Sequence, residues 1–200
     1  MTRPSALILD YGEVLCHPMR PGAMALMASQ LGVSDTEMTE VYWRHRREYD
    51  LGMPVREYWD LVARDLGVVL EPSLVDSLIA IDVDSWTDYH DEMWTLAATY
   101  RAGGGKLGML SNGVPEIVAR IRADRDLDRC FDAIVISCEV QLAKPEPEIY
   151  RVTLDRLGVR ASDALFVDDR AENIQTAREL GLQTVHFTGD VHALRSVVLA

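Results

Sequence analysis

Four places in this chain set polar residues at the end of an apolar run. Asp10 follows Leu7, Ile8 and Leu9, and Ser111 with Asn112 ends the stretch Lys106–Gly113. Lys144 lies in the loop after Ala133–Ser137, and Asp168 with Asp169 closes Ala164–Asp169. Such runs suit strands buried on both faces of a parallel sheet, where ligands bind beyond the carboxyl ends. Any one of these residues alone reads as a turn or a helix cap. Brought to one sheet edge, they offer a nucleophile or metal ligand, a hydroxyl with backbone amides, a fixed cation and further carboxylates. Carboxylates from distant strands repel where they meet unless a cation joins them. Hard carboxylate oxygens favour Mg²⁺, which usually also takes water and substrate phosphate.

The elements that must position these groups can be read from periodicity. After Leu15 comes a loop with two prolines, and from about Gly22 to Ile81 the pattern is helical. Met24, Met27, Ala28 and Leu31 follow the i, i+3, i+4, i+7 rule. Ser34 and Glu37 form a capping box, opening a helix with Met38, Val41, Tyr42, His45 and Tyr49 on one face. Pro54 starts a third helix that carries Tyr58, Trp59, Val62 and Leu66 inward and stops at Gly67; a fourth follows Pro72. These four form a compact helical insert. The acidic segment Asp82–Met93 fails the spacing of a calcium loop and is expected to be a solvated connection. A helix then runs to about Ala102, and Gly103, Gly104 and Gly105 read as a helix-to-strand turn. From Lys106 strands and helices alternate, ending with the strand Gln183–Phe187 and a helix from about Val191. The expected fold is α/β: a parallel-sheet, Rossmann-like core covered by helices on both faces. Its core comprises residues 1–16 and 90–200, and a small helical cap, residues 17–89, is inserted after the first strand.

Composition narrows the function. The net charge of −12 over 200 residues disfavours a nucleic-acid backbone as partner. Cys16, Cys130 and Cys138 lack metal-type spacing, and free thiols in a reducing cytoplasm are expected. The N-terminal apolar run is too short for a signal peptide, and no segment reads as membrane-spanning.

With these motifs in order, the chain resembles the haloacid dehalogenase superfamily, most of whose members are phosphatases. The sequence DYGEVL is similar to the family's first motif, LSN to the second, AKPEPEIY to the third and FVDDRAEN to the fourth. The resemblance implies Asp10 as nucleophile, Ser111 holding a phosphoryl oxygen and Lys144 as catalytic lysine. Ser111, Asn112 and Lys144 would bind the substrate. Mg²⁺ would be held by Asp10, the Gly12 carbonyl and Asp169, with Asp168 beside it. The helical insert matches the family's small cap. The implied activity is Mg²⁺-dependent hydrolysis of a small phosphorylated metabolite, a sugar phosphate being one candidate, by a monomer or homodimer. One departure stands out. Phosphatases of this family usually place a second Asp, the acid for the leaving oxygen, where this chain has Gly12. The pattern D-x-G-x-V resembles a bacterial subgroup that includes sugar-phosphate phosphatases.

Other polar residues read as structural. Glu13 is expected to face solvent at the turn, and Arg44–Arg47 to form a solvated helix face rather than to steer an anion. His17 and Arg20 are candidates for the pocket wall or for a plain loop. Trp43, Trp59, Trp86 and Trp94 read as packing, and Cys16 as inert. Two alternatives to a phosphatase stand: a 2-haloacid dehalogenase, which needs no metal, and a phospholigand-binding protein without turnover. A serine hydrolase is disfavoured because Gly108–Gly113 is not the G-x-S-x-G elbow.

Overall fold

The computed structural model describes residues 4–199. Met1–Arg3, at the start of the stretch read for a leader, and Ala200 lie outside the described residues. Five parallel strands form one sheet: β1 (Ala6–Leu9), β2 (Lys106–Ser111), β3 (Ala133–Ile136), β4 (Ala164–Asp168) and β5 (Gln183–His186). Their order is β3-β2-β1-β4-β5, so β1 is central and the strand order reverses beside it. Alternate residues of β1 serve opposite faces, as the period of a strand requires. Leu7 and Leu9 belong to one apolar layer, whereas Ala6 and Ile8 join the other with Ile149, Leu154 and Ile174.

Between β1 and β2 come α1 (Ala23–Leu31), α2 (Asp35–Arg44), α3 (Arg46–Asp50), α4 (Val55–Leu66), α5 (Pro72–Ser85) and α6 (Asp91–Ala102). The remaining helices are α7 (Pro115–Asp124), α8 (Leu127–Cys130), α9 (Ser137–Val140), α10 (Pro147–Leu157), α11 (Ala171–Glu179) and α12 (Val191–Val198). Both ends of the helical insert leave and rejoin the sheet side by side. Cys16 and Tyr89 form an antiparallel bridge, His17 N donates to Asp88 O at 2.8 Å, and His90 N donates to Leu15 O at 3.0 Å. The Ser34–Glu37 capping box is present at the start of α2. Among the described residues no helix is long and apolar enough to cross a membrane.

The structure differs from the periodicity reading in several places. The helix expected to run from Met38 to Tyr49 breaks at His45, whose ring lies 3.0 Å from Asp65, while Met38, Val41, Tyr42 and Tyr49 are buried as expected. The expected solvated connection from Asp82 begins inside α5, and Asp82 is only 1% exposed. Arg46, expected on a solvated face, is buried too, and the two corrections have one cause. Tyr42 Oη donates to Asp82 Oδ1 at 2.6 Å, and the Arg46 guanidinium bonds the Tyr42 hydroxyl. Burial of opposite charges is tolerated when they are paired and hydrogen-bonded, a circumstance that local patterning does not reveal.

The three glycines after α6 make the helix-to-strand turn. The third has a packing role: a Cβ on Gly105 would lie 2.3 Å from Tyr100 Cε1. Tyr100 cannot easily yield, because it is fully buried and its hydroxyl bonds Pro4 O at 2.5 Å. Gly105→Ala should therefore lower unfolding stability by about 1–3 kcal/mol, the usual cost of overpacking. Urea denaturation measures this, and an unchanged midpoint would refute the close-approach argument.

Candidate active site

Asp10, Ser111, Lys144 and Asp168 meet at the carboxyl edge of the sheet. β1 and β4 are neighbours there, and Asp10 N still donates to Val167 O at 3.0 Å. The Lys144 ammonium sits between two carboxylates, 2.7 Å from Asp10 Oδ1 and 2.6 Å from Asp168 Oδ2. All three side chains are nearly sealed, with exposures of 1%, 8% and 0% for Lys144, Asp10 and Asp168. Asp10 Oδ1 also accepts from Tyr11 N at 2.7 Å. Oδ2 of Asp10 has no hydrogen-bond partner among the described residues.

Asp168 is committed on every side. Besides Lys144, it accepts from Arg170 N at 2.8 Å and from Asn173 Nδ2 at 2.9 Å. Asp169, the next residue, has no cation or side-chain donor on its carboxylate among the described residues, only its own backbone; its carbonyl lies 2.7 Å from the ring of His186. Ligand oxygens of Asp10, Asp168 and Asp169 lie within 4.8 Å of one another. Burial pushes the Asp10 carboxyl from 3.8 up to about 7; Lys144 opposes the rise and the Asp168 charge adds to it. Asp169 is pushed up to about 6, first by burial and then by the charges of Asp168 and Glu13. Burial alone would lower the Lys144 ammonium, but Asp10 and Asp168 outweigh it and hold the group above its ordinary value. A set of hard oxygens that resist joint ionisation is a donor set that fits Mg²⁺.

Asn112 reaches the site through the main chain. Its amide donates to Lys144 O at 2.9 Å and accepts from Lys144 N at 2.8 Å, so it fixes the loop that carries the lysine. Among the described residues the Ser111 hydroxyl makes only a long bond of 3.3 Å to Asn112 O. It is therefore easily redirected to a ligand.

The turn after Asp10 is not built as glycine chemistry suggests. Gly12 has no left-handed angle; Glu13 takes it, with φ of 54°. A Cβ added at Gly12 would have no atom within 4 Å, so the missing side chain leaves open space at the cavity wall. Glu13 is exposed, yet it borders the same cavity. His17 stacks on His90 with centroids 4.5 Å apart, and Arg20 pairs with Asp84; neither lines the cavity. Cys16 is buried, and its thiol is pushed up to about 12 by that burial, as expected of an inert residue.

The cavity holds about 330 Å³, room for a small metabolite. Met109, Ile117, Val118, Ile121 and Ile136 give it an apolar wall. Trp43 and Trp86, read from sequence as packing, line it as well; Trp59 and Trp94 do not. Arg46, read from sequence as part of a solvated face, lines it too, as do Asp50 and Asn173, which escaped the sequence reading. Trp43, Arg46 and Asp50 are spaced by three and four, a one-face signal that could have found them.

Known proteins of similar sequence and fold bear on this geometry. Rat bifunctional epoxide hydrolase 2 is 36% identical over 72 residues, 36% of this chain. The chain spans only 13% of that protein's length. (S)-2-haloacid dehalogenase 4A of Burkholderia cepacia is 28% identical over 79% of this chain and 72% of its own. Glyceraldehyde 3-phosphate phosphatase of Methanopyrus kandleri is 27% identical over 82% of this chain and 71% of its own. A HAD family enzyme from Bacteroides thetaiotaomicron, solved with magnesium and inorganic phosphate, superposes with a TM-score of 0.75 at 20% identity, over 92% of this chain and 94% of that one. That likeness shows the α/β fold. Since the family model of haloacid dehalogenase-like hydrolases matches residues 5–181, the chain belongs to that family of hydrolases.

Proposed function

We propose that the protein is a Mg²⁺-dependent phosphatase that hydrolyses a small phosphorylated metabolite through an aspartyl-phosphate on Asp10. The observation that carries this reading is the meeting of Asp10, Asp168 and Asp169 around Lys144 where the strand order reverses. Support comes from the phosphatase among the relatives and from the magnesium and phosphate in the solved neighbour. A dehalogenase is also among the relatives, but halide displacement needs no metal and leaves Asp169 without a task.

When bound by Asp10, Asp169 and the Gly12 carbonyl, with Asp168 beside them, Mg²⁺ supplies positive charge to the phosphoryl oxygens. Asp10 Oδ1 is held by Tyr11 N and Lys144, which leaves Oδ2 to attack phosphorus as the bond to the leaving oxygen breaks. Water then attacks phosphorus, the bond from phosphorus to Asp10 Oδ2 breaks, and inorganic phosphate leaves as the carboxylate is restored. Lys144 and Ser111 donate hydrogen bonds to the phosphoryl oxygens, and Asn112 and Asp168 keep Lys144 in place. Residues 17–89 act as the cap over this edge. The working form is a monomer or a homodimer. The free cysteines fit a cytoplasmic setting.

Asp10→Asn should fold normally and lose turnover of 4-nitrophenyl phosphate, because an amide cannot form the acyl phosphate. Wild-type rates in that variant would remove Asp10 from the reaction.

The metal can be read without activity. Asp10 and Asp169 are raised from 3.8 to about 7 and about 6 in the folded chain. The folded state then holds their protons more tightly than the unfolded state, so their stabilising contribution is lost as pH rises from about 4 to about 7. Mg²⁺ competes with those protons. It should raise the melting temperature more at about pH 8 than at about pH 5. Asp169→Ala should abolish the Mg²⁺ shift, whereas Ser111→Ala should keep it. Equal shifts at both pH values would count against the carboxylate site.

Gly12 removes the usual acid, and general acid catalysis contributes about 10² to 10⁴-fold. The rate should therefore depend steeply on the pKa of the leaving group. Gly12→Asp, for which there is room, should raise rates for poor leaving groups more than for good ones. A shallow dependence, unchanged in Gly12→Asp, would mean that another residue supplies the proton.

A further inference from the structure

The cavity wall contributed by the helical insert holds a charge cluster that the four strand ends do not account for. Arg46 is 8% exposed and packed among rings, its guanidinium carbon 5.2 Å from the centroid of Tyr42, 5.8 Å from Trp43 and 6.0 Å from Trp86. Its Nε donates to Asp50 Oδ1 at 3.1 Å, and its Nη1 lies 3.7 Å from Asp82 Oδ1 and bonds the Tyr42 hydroxyl. The Tyr58 hydroxyl also lies against the guanidinium, but Nη2 of Arg46 and Oδ2 of Asp50 make no direct hydrogen bond of good geometry among the described residues. Neither atom is sealed away. The fully buried side-chain polar atom left without a partner among the described residues is Trp59 Nε1. Both Arg46 and Asp50 line the cavity, so one free donor and one free acceptor are available to whatever fills it.

The charges of this cluster decide what that is. A buried arginine in a phosphate-handling cavity suggests a clamp for a second anion. Here the single positive charge is already faced by two carboxylates, Asp50 and Asp82. A further anion would approach a cluster of net negative charge, with Asp169 and Glu13 also on the wall; of the wall's other cations, Lys144 is paired with Asp10 and Asp168, and Arg170 with Glu172. Like charges brought together in a desolvated site are strongly unfavourable. The cluster is carried by a different element from the phosphoryl site: Arg46 and Asp50 stand on α3, whereas Asp10, Ser111, Lys144 and Asp169 stand at or after strand ends. Next to the donor and acceptor stand the edge-to-face rings of Trp43 and Trp86, with centroids 6.4 Å apart.

We propose that Arg46 and Asp50 are specificity-determining residues that hydrogen-bond the leaving group, and that they select monophosphates of uncharged, hydroxyl-bearing leaving groups over those with a second anionic group. This rests on the phosphatase reading for its substrate class. Arg46 acts as a neutralised donor, Asp50 as the acceptor, and the indoles cover the apolar face of the bound molecule.

The test compares two ligands of one skeleton, glycerol 3-phosphate and 3-phosphoglycerate, which carry a hydroxymethyl and a carboxylate at the far end. With Mg²⁺ present, kcat/KM for each is measured on the wild type and on Asp50→Asn, and Kd for each by calorimetry on Asp10→Asn with and without the second substitution. The wild type should favour glycerol 3-phosphate by about tenfold or more, the scale expected for one like-charge contact. Asp50→Asn should move the ratio at least about tenfold toward 3-phosphoglycerate, because it unmasks the charge of Arg46. A merely structural Arg46–Asp50 pair would lower stability and leave the ratio where it was. A wild type that binds or turns over the carboxylate equally well overturns the proposal, as does an unchanged ratio in folded Asp50→Asn. The wild-type ratio decides even if the variant does not fold. Turnover of 4-nitrophenyl phosphate is followed in parallel. Its absence in the wild type would sink the phosphatase reading, while the two Kd values would still judge the wall.

Discussion

The Lys144 ammonium between Asp10 and Asp168 is the interaction on which the rest of the site depends. Without a cation, two buried carboxylates from adjacent strand ends would repel and could not both stay ionised. Removing one partner of such a buried pair typically costs roughly 3–5 kcal/mol, since the remaining charge is stranded. The surroundings show how the arrangement is kept. Asn112 holds the lysine's main chain on both sides, Asn173 and Arg170 N hold Asp168, and Tyr11 N holds one oxygen of Asp10. Tyr11 and Asn112 follow the ends of β1 and β2, and Arg170 and Asn173 open α11 directly after β4, so the sheet itself sets the geometry.

That geometry leaves two groups free: one oxygen of Asp10, and the carboxylate of Asp169. The proposed reaction needs both: a nucleophile must keep a lone pair available, and a metal needs carboxylate oxygens that protein donors have not all taken. The division of labour between Asp168 and Asp169 follows from the same rule. Although adjacent in sequence, one is bound on all sides by protein donors and the other is not.

The helical insert answers a different constraint. It joins the core by two adjacent crossings at Cys16 and Tyr89, and it touches the core again at the start of α7 through Tyr49 Oη, 2.8 Å from Glu116 Oε2. Contacts of this kind bring Arg46, Asp50 and the two indoles over the strand ends. A second buried cation, again flanked by carboxylates, thus stands on the insert's side of the same cavity. The two clusters solve one electrostatic problem twice: each keeps ionised side chains in a low-dielectric setting by pairing them.

The sequence by itself determined the strands, the alternation that makes the sheet parallel, and the polar residues at the strand ends. Apolar runs such as Leu7–Leu9 and turn glycines such as Gly103–Gly105 are local signals, and they bear directly on local structure. The capping box at Ser34 was legible for the same reason. Sequence also exposed the family motifs, because their spacing along the chain is itself the pattern. Only the tertiary structure decided which charges are buried. Asp82 looked solvated within an acidic segment and Arg46 within a basic one, since hydropathy scores each residue alone. Asp82 meets Tyr42 across a separation of 40 residues, and Arg46, though only four residues from Tyr42 and Asp50, is closed in where the fold brings Asp82 and the rings around it. Burial of a charge depends on a partner brought there by the fold, and that pairing has no period to read.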